Sequence, residues 1–250
     1  MLPVGDNDTP GRRFPIFTWL LIAVNALVFV YELTLSPAAL DQLFQTWGAV
    51  PGPIAHAIAN PAAAGSVHAL LTLITSQFLH AGWVHIGGNM LFLYIFGDDI
   101  EDVLGSPIYL VFYLVCGIIA GLTQTYVLNG LLHSPNDAGI GASGAIAGVL
   151  GAYLVLYPSR RINVMAPSSA AGAGATSVPA FTMLGLWFVQ QFISGATALT
   201  GAPTSNVGFF AHIGGFIAGA ILILPWRAGA VQKYQGSGGG ANIQSPQRYR

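Results

Sequence analysis

The chain has 250 residues, of which 54% are apolar and only 7% charged. Ordinary water-soluble domains carry charge on roughly a quarter of their residues, so this composition excludes one and specifies an all-α polytopic membrane protein. A formal net charge of −1 offers no general basis for binding nucleic acid, and the single Cys116 excludes both an intrachain disulfide and a cysteine-based metal cluster.

Residues 1–15 are polar, with Arg12 and Arg13 just ahead of an apolar run from Ile16 to about Leu35. That run has the ~20 residues a helix needs to cross the hydrocarbon core. It is longer than the roughly 7 to 15 apolar residues of a signal peptide and carries Trp19 and Asn25, so it reads as a first span. From Ser36 to about Trp83 the chain is broken by Pro37, Pro51, Pro53 and Pro61 and contains no Lys or Arg. Too interrupted to span and too apolar for a free aqueous loop, this first connection is expected to lie on, or dip into, one membrane face.

Further spans are expected at about His85–Ile100, Pro107–Leu128, Ser143–Tyr157, Val178–Leu199 and Gly208–Pro225, the fourth span being short. Between the fourth and fifth, Ala166–Ser177 has the Ala/Gly/Ser composition of a flexible connector. The chain thus divides into an amino-terminal segment (1–15), a six-span domain (16–226) and a Gly/Ser/Gln-rich tail (227–250) expected to be disordered.

With six spans, all eight basic residues fall on one side: Arg12, Arg13, Arg160, Arg161, Arg227, Lys233, Arg248 and Arg250. The positive-inside rule then places both termini in the cytoplasm of an inner (plasma) membrane protein. Asp98, Asp99, Glu101 and Asp102 fall at the cytoplasmic end of the second span, where a solvated helix end is the expected reading.

Polar groups inside spans are costly and mark function by default. Gly141-Ala142-Ser143-Gly144 opens the fourth span near the outer face. Taken alone it is what closely packed membrane helices use, and it differs from the G-x-S-x-G elbow because Gly144 directly follows the serine. The sixth span carries His212 about one turn below the same face, within Ala211, Gly215 and Gly219 at four-residue spacing. The fourth span has a matching stripe, Gly141, Gly144, Gly148 and Gly151. Two glycine-faced helices pack closely enough for an imidazole to reach a serine hydroxyl and act as its base. His85 and Asn89, at i and i+4 on the second span, share a face near the same boundary and can donate to an oxyanion together with the Ser143 backbone N–H. A zinc site from His80, His85 and His212 is the alternative, and it lacks a cysteine or an acid to complete it. Asp41 and Asp137 are the outer aspartates and neither sits in a motif, so a Ser–His dyad is the reading; no metal and no cofactor is implied.

Thr72–Met90, Phe96-Gly97 with Glu101 and Gly105, Gly141–Ala145 and Ala211–Gly215 resemble, in order, the motifs of the rhomboid intramembrane serine proteases, a likeness covering about residues 16–226. The resemblance implies Ser143 as nucleophile, His212 as base, and His85 and Asn89 as oxyanion donors. It also implies that Gly141 keeps the space over the nucleophile open and that His80 is an outer structural histidine supporting the first loop. Two positions depart from the pattern. Leu71-Thr72 stands where some relatives carry Trp-Arg, and Ala147 stands where others place an aromatic against the histidine, which leaves His212 without its usual support. The implied partners are transmembrane protein substrates in the lipid bilayer, cleaved near the outer leaflet, with no oligomeric state specified. Lateral access between the second and fifth spans is expected, with Phe181, Trp187 and Phe188 either gating it or merely facing lipid. A helix-binding scaffold without activity is the competing class; inactive relatives typically lack the serine or the histidine, and both are present here.

Overall fold

A computed structural model describes residues 2–6, 14–134, 136–168, 172–200 and 208–230. It is mostly helical, with one small sheet. The expected first span is α1 (Ile16–Glu32), and the first connection contains three short helices, α2 (Pro37–Trp47), α3 (Pro51–Ala59) and α4 (Ser66–Thr75). The remaining expected spans are α5 (Trp83–Leu104), α6 (Ser106–Thr125), α7 (Ser143–Leu156), α8 (Ala180–Leu199) and α9 (Phe209–Leu222). Among the described residues two helical stretches are long and apolar enough to cross a membrane, Ser106–Leu131 and Phe209–Ala230, while Ile16–Glu32 and Ser143–Leu156 are apolar but shorter. The four carboxylates on α5 and the Gln190-Gln191 pair on α8 dilute the apolar character of those two helices.

Local chemistry explains the helix ends. Ser36 caps α2 by accepting from the Ala39 N–H at 3.3 Å, with Pro37 at the first helical position. Gly105 separates α5 from α6 at φ +78, a left-handed conformation that favours glycine, and its N–H closes α5 on the Glu101 carbonyl at 2.8 Å. The start of α1 has no cap of its own; Glu101 of α5 supplies it. Its carboxylate accepts from the N–H groups of Phe17 (3.0 Å) and Thr18 (2.8 Å) and from the Thr18 hydroxyl (2.8 Å), placing negative charge at the positive end of the helix dipole.

The acidic group is therefore not a solvated helix end, as its composition suggested. Asp99 and Glu101 are 2% and 3% exposed. Asp99 pairs with Arg160, which also reaches Asp6 at 3.2 Å and lies over the Tyr157 ring, 3.9 Å from its centroid. Asp6 accepts a further hydrogen bond from the Tyr153 hydroxyl. Buried charges persist when paired in this way.

The connector between α7 and α8 is also corrected. Rather than a flexible linker, it contains strands β2 (Arg161–Ser168) and β3 (Gly172–Pro179), antiparallel with Arg161 opposite Pro179 and Ser168 opposite Gly172. The amino-terminal strand β1 (Leu2–Asp6) pairs with β2, giving the order β1-β2-β3. The Ala/Gly/Ser composition covers only β3 and the end of β2; β2 opens Arg161-Ile162-Asn163-Val164, polar and apolar in alternation, with Ile162 and Val164 buried. The expected 200–207 connection and the tail beyond Trp226 fall largely on residues 201–207 and 231–250, outside the described residues.

The core runs between α5, α6, α7 and α9, with Leu93, Phe96, Tyr113 and Leu150 buried. Its tightest seam joins α7 to α9. A side chain on Gly215 would collide with the Gly144 carbonyl, and one on Gly219 with the Gly148 carbonyl, so backbone lies directly against backbone. α6 closes on the same seam: a Cβ on Gly144 would come within 2.7 Å of Ala120 on α6 and 3.8 Å of Ala211 on α9.

Replacing Gly219 by Val is expected to cost about 3 kcal/mol through overpacking, lowering Tm in detergent and abolishing activity together. Gly185→Ala on α8, where a Cβ meets open space, is expected to leave Tm unchanged or slightly raised. Thermal unfolding of the two variants checks the contrast.

Candidate active site

Ser143 begins α7 and His212 lies in the first turn of α9. Because glycines allow α7 and α9 to touch, these two helix starts come together at one end of the bundle. His212 Nε2 lies 2.8 Å from Ser143 Oγ, within hydrogen-bond reach of a base and its hydroxyl. His212 is buried, and its other ring nitrogen, Nδ1, lies 2.8 Å from Oε1 of Gln191 on α8. The indole of Trp187, one turn earlier on α8, packs against the imidazole at 5.7 Å between centroids.

The loop before Ser143 is braced. The 126–142 connection is held to the first connection by a two-way backbone pair between Ala49 and Gly139, each at 2.9 Å. Two residues on, the Gly141 N–H donates to the Ser76 carbonyl at 2.8 Å. Gly141 has φ +118, and a Cβ there would lie 2.6 Å from His85 Nε2 and 3.7 Å from Asn89 Nδ2. Its missing side chain is thus the space in which the two α5 residues approach the loop before Ser143.

His85 and Asn89 stand one turn apart on α5. The Ala81 N–H donates to His85 Nδ1 at 3.3 Å. A neutral ring accepting there carries its proton on Nε2, the nitrogen that faces Gly141. Asn89 is buried, and its Nδ2 donor has no hydrogen-bond partner among the described residues. Buried donors are normally satisfied; this one belongs to a residue that lines the same cavity as Ser143. Ser143, His212, His85, Asn89, Gly141 and Trp187 line a common cavity of about 1240 Å³.

His80 stands behind this group. Its backbone N–H donates to the Glu32 carboxylate at 3.1 and 3.3 Å, while its buried ring meets the His85 ring at 5.0 Å between centroids. Burial, and after it His85, push its imidazole down to about 4, so it is neutral near pH 7. The zinc alternative does not assemble in this arrangement: both nitrogens of His212 face Ser143 and Gln191. Among the described residues no three His, Cys, Asp or Glu side chains gather as a metal site.

Of the three aromatics considered for lateral access, Trp187 packs on His212 and Phe216, Phe188 stacks on Phe216 at 4.6 Å, and Phe181 is exposed. Gln191 was missed by sequence reasoning. Its signal was available: a glutamine inside an apolar helix is a costly polar group in the same sense as a histidine, and its neighbour Gln190 is exposed where Gln191 is buried.

Comparison with protein families matches residues 67–228 to the Rhomboid domain. Among curated proteins the chain is similar to Rhomboid-like protein 11, chloroplastic, of Arabidopsis thaliana, at 25% identity over 87% of this chain and 68% of that protein. It is similar to rhomboid protease GluP of Bacillus subtilis at 30% identity over 88% of this chain and 37% of GluP. Rhomboid protein 1, mitochondrial, of Saccharomyces cerevisiae is 32% identical over 37% of this chain and 27% of its own length. The chain therefore spans little more than a third of GluP and about a quarter of the yeast protein. With the domain match covering well over half of its residues, the chain belongs to the rhomboid family of membrane-embedded serine proteases.

Proposed function

We propose that this protein is an intramembrane endopeptidase that cleaves transmembrane protein substrates with a Ser143–His212 dyad. The observation that carries the reading is the 2.8 Å approach of His212 Nε2 to Ser143 Oγ inside a cavity that also holds the open Asn89 donor. In the first step His212 Nε2 takes the hydroxyl proton while Oγ attacks the scissile carbonyl carbon. The oxyanion that forms is stabilised by the Asn89 amide, the His85 Nε2–H and the Ser143 backbone N–H, which belongs to the free donors of a helix first turn. The C–N bond then breaks as the imidazolium returns its proton to the leaving amine. Water, deprotonated by the same histidine, hydrolyses the acyl-enzyme and restores the serine.

The helices α1, α5, α6, α7, α8 and α9 serve as six spans in this reading, forming the protease domain at 16–226 between an amino-terminal segment (1–15) and a tail (227–250). Sidedness is supported by the small sheet. The pairing of β1 with β2 and the Arg160–Asp6–Asp99 cluster bring the amino terminus, the end of α5 and the α7–α8 connection to one end of the bundle. Ser143 opens α7 at the other end. Combined with the distribution of basic residues, this gives cytoplasmic termini, or termini on the equivalent side of an organelle membrane, and cleavage near the opposite leaflet. The relatives named chloroplastic and mitochondrial leave the membrane itself as the shared location, so they lend no support to a plasma (inner) membrane in particular. The three short helices of the first connection lie along that leaflet, and Pro- and Gly-containing substrate segments, which unwind at least cost, are favoured. Access is lateral, between α5 and α8.

A fluorophosphonate probe is expected to label purified protein at Ser143, and Ser143→Ala and His212→Ala to lose both labelling and cleavage of a model transmembrane substrate. Persistent cleavage by Ser143→Ala would remove the nucleophile assignment. Asn89→Ala is expected to lower kcat by about 10²-fold with KM little changed, as for loss of an oxyanion donor. Gly141→Val, forced to a positive φ and into the His85 ring, is expected to abolish labelling while α7–α9 packing persists, which circular dichroism and Tm check.

A further inference from the structure

We propose that Gln191 is the positioning residue of the catalytic base: its carboxamide fixes the tautomer and the plane of His212, the part that an aromatic at position 147 would otherwise play. The proposal rests on the dyad reading above. Ala147 is fully buried within the core and offers no ring to His212. The imidazole is instead held from α8, by Gln191 at Nδ1 and by Trp187 along its face.

The chemistry of the two nitrogens makes the choice of partner matter. To accept the serine proton, Nε2 must present a lone pair, so a neutral His212 must carry its hydrogen on Nδ1. Gln191 Oε1, 2.8 Å away, is an acceptor and selects that tautomer. An amide turned the other way would donate to Nδ1 and drive the proton to Nε2, where it would point at Oγ and block the transfer. Gln191 is 8% exposed, so water competes poorly for this contact. One turn separates Gln191 from Trp187, and the two side chains descend from one face of α8: the first sets the ring's hydrogen, the second its tilt.

A glutamine differs from the aspartate of a soluble serine protease in one respect. It is neutral, so it orients the imidazole without stabilising the imidazolium by charge. Few other ionisable groups lie near His212. His85, Asp41 and Asp137 line the same cavity. α8 and α9 contain no other ionisable side chain, while α6 and α7 contribute Tyr109, Tyr113, Cys116 and Tyr153, none hydrogen-bonded to His212. A carboxylate placed at residue 191 would therefore be felt directly, and its sign is fixed: it favours the protonated imidazole, so the acid limb of the rate profile moves to higher pH.

The test compares kcat and KM against pH for cleavage of a model transmembrane substrate by the full chain in detergent or nanodiscs. Wild type, Gln191→Leu, Gln191→Glu and, as an exposed neighbour, Gln190→Leu are measured. Gln191→Leu is expected to lower kcat about 10²-fold, in line with the contribution of a well-placed general base, with KM unchanged. Gln191→Glu is expected to restore most of the neutral-pH rate and to move the acid limb upward; Gln190→Leu is expected to match wild type. A merely structural Gln191 would alter Tm and yield but leave the acid limb in place. Wild-type kcat in Gln191→Leu, or an unshifted acid limb in Gln191→Glu, overturns the proposal, and if Gln191→Leu fails to fold the glutamate variant decides alone. Should Ser143→Ala still cleave, the dyad itself has failed; should Ser143→Ala be inactive while both Gln191 variants behave as wild type, only the positioning role has.

Discussion

The contact on which the rest depends is the one between the glycine faces of α7 and α9. In lipid there is little hydrophobic force between helices, and association comes from close packing and interhelical hydrogen bonds. Where Gly144 and Gly148 meet Gly215 and Gly219, the two backbones approach without intervening side chains. That approach brings an imidazole on one helix to a hydroxyl on the other. A serine is too weak an acid to act alone, so the packing seam and the chemistry are one constraint seen at two depths. Near the helix starts it holds Ser143 and His212 at 2.8 Å; deeper in it seals the bundle.

Around that seam the other elements act as braces. The first connection grips the loop before Ser143 through Ala49–Gly139 and Ser76–Gly141. α5 brings His85 and Asn89 to the gap left by Gly141, and α8 closes over His212. At the far end, Glu101 caps α1 and the Arg160–Asp99–Asp6 cluster ties the amino-terminal strand to α5 and to the hairpin. Charge is used where it is paired and kept away from the cavity wall behind His212, where a neutral amide stands instead.

Much of the Ser143–His212 juxtaposition was legible because its signals are local. Glycine at three- and four-residue spacing declares a helix face, and a histidine within such a face declares its depth, so Ser143 and His212 could be placed from periodicity. His85 and Asn89 followed from the same rule. What escaped were contacts between distant segments. The acids of α5 look like a helix end because nothing nearby in sequence reveals that one will cap α1 and another will meet Arg160. The sheet escaped for a related reason: β3, of Gly, Ala, Thr and Ser, carries little alternation of polarity, the alternation of β2 is confined to Arg161–Val164, and β1 pairs with a partner far along the chain. α5 and α8 likewise carry polar groups that composition alone does not place, and Asp99, Glu101 and Gln191 are buried only in the folded bundle.

Gln190 and Gln191 show why such residues are hard to read and what resolves them. They are adjacent and chemically identical, and in sequence they merely weaken an apolar helix. A helix turns about 100° per residue, so neighbours cannot share one environment: the Gln190 side chain is exposed while that of Gln191 meets the core. A buried amide then needs a partner, and on α8 the polar group within reach is the ring nitrogen of His212. The absence of an aromatic at Ala147 and the presence of an amide at Gln191 are thus two sides of one arrangement. A base must be held in plane and in one tautomer, and when α7 supplies no ring to do so, the polar interruption in α8 does.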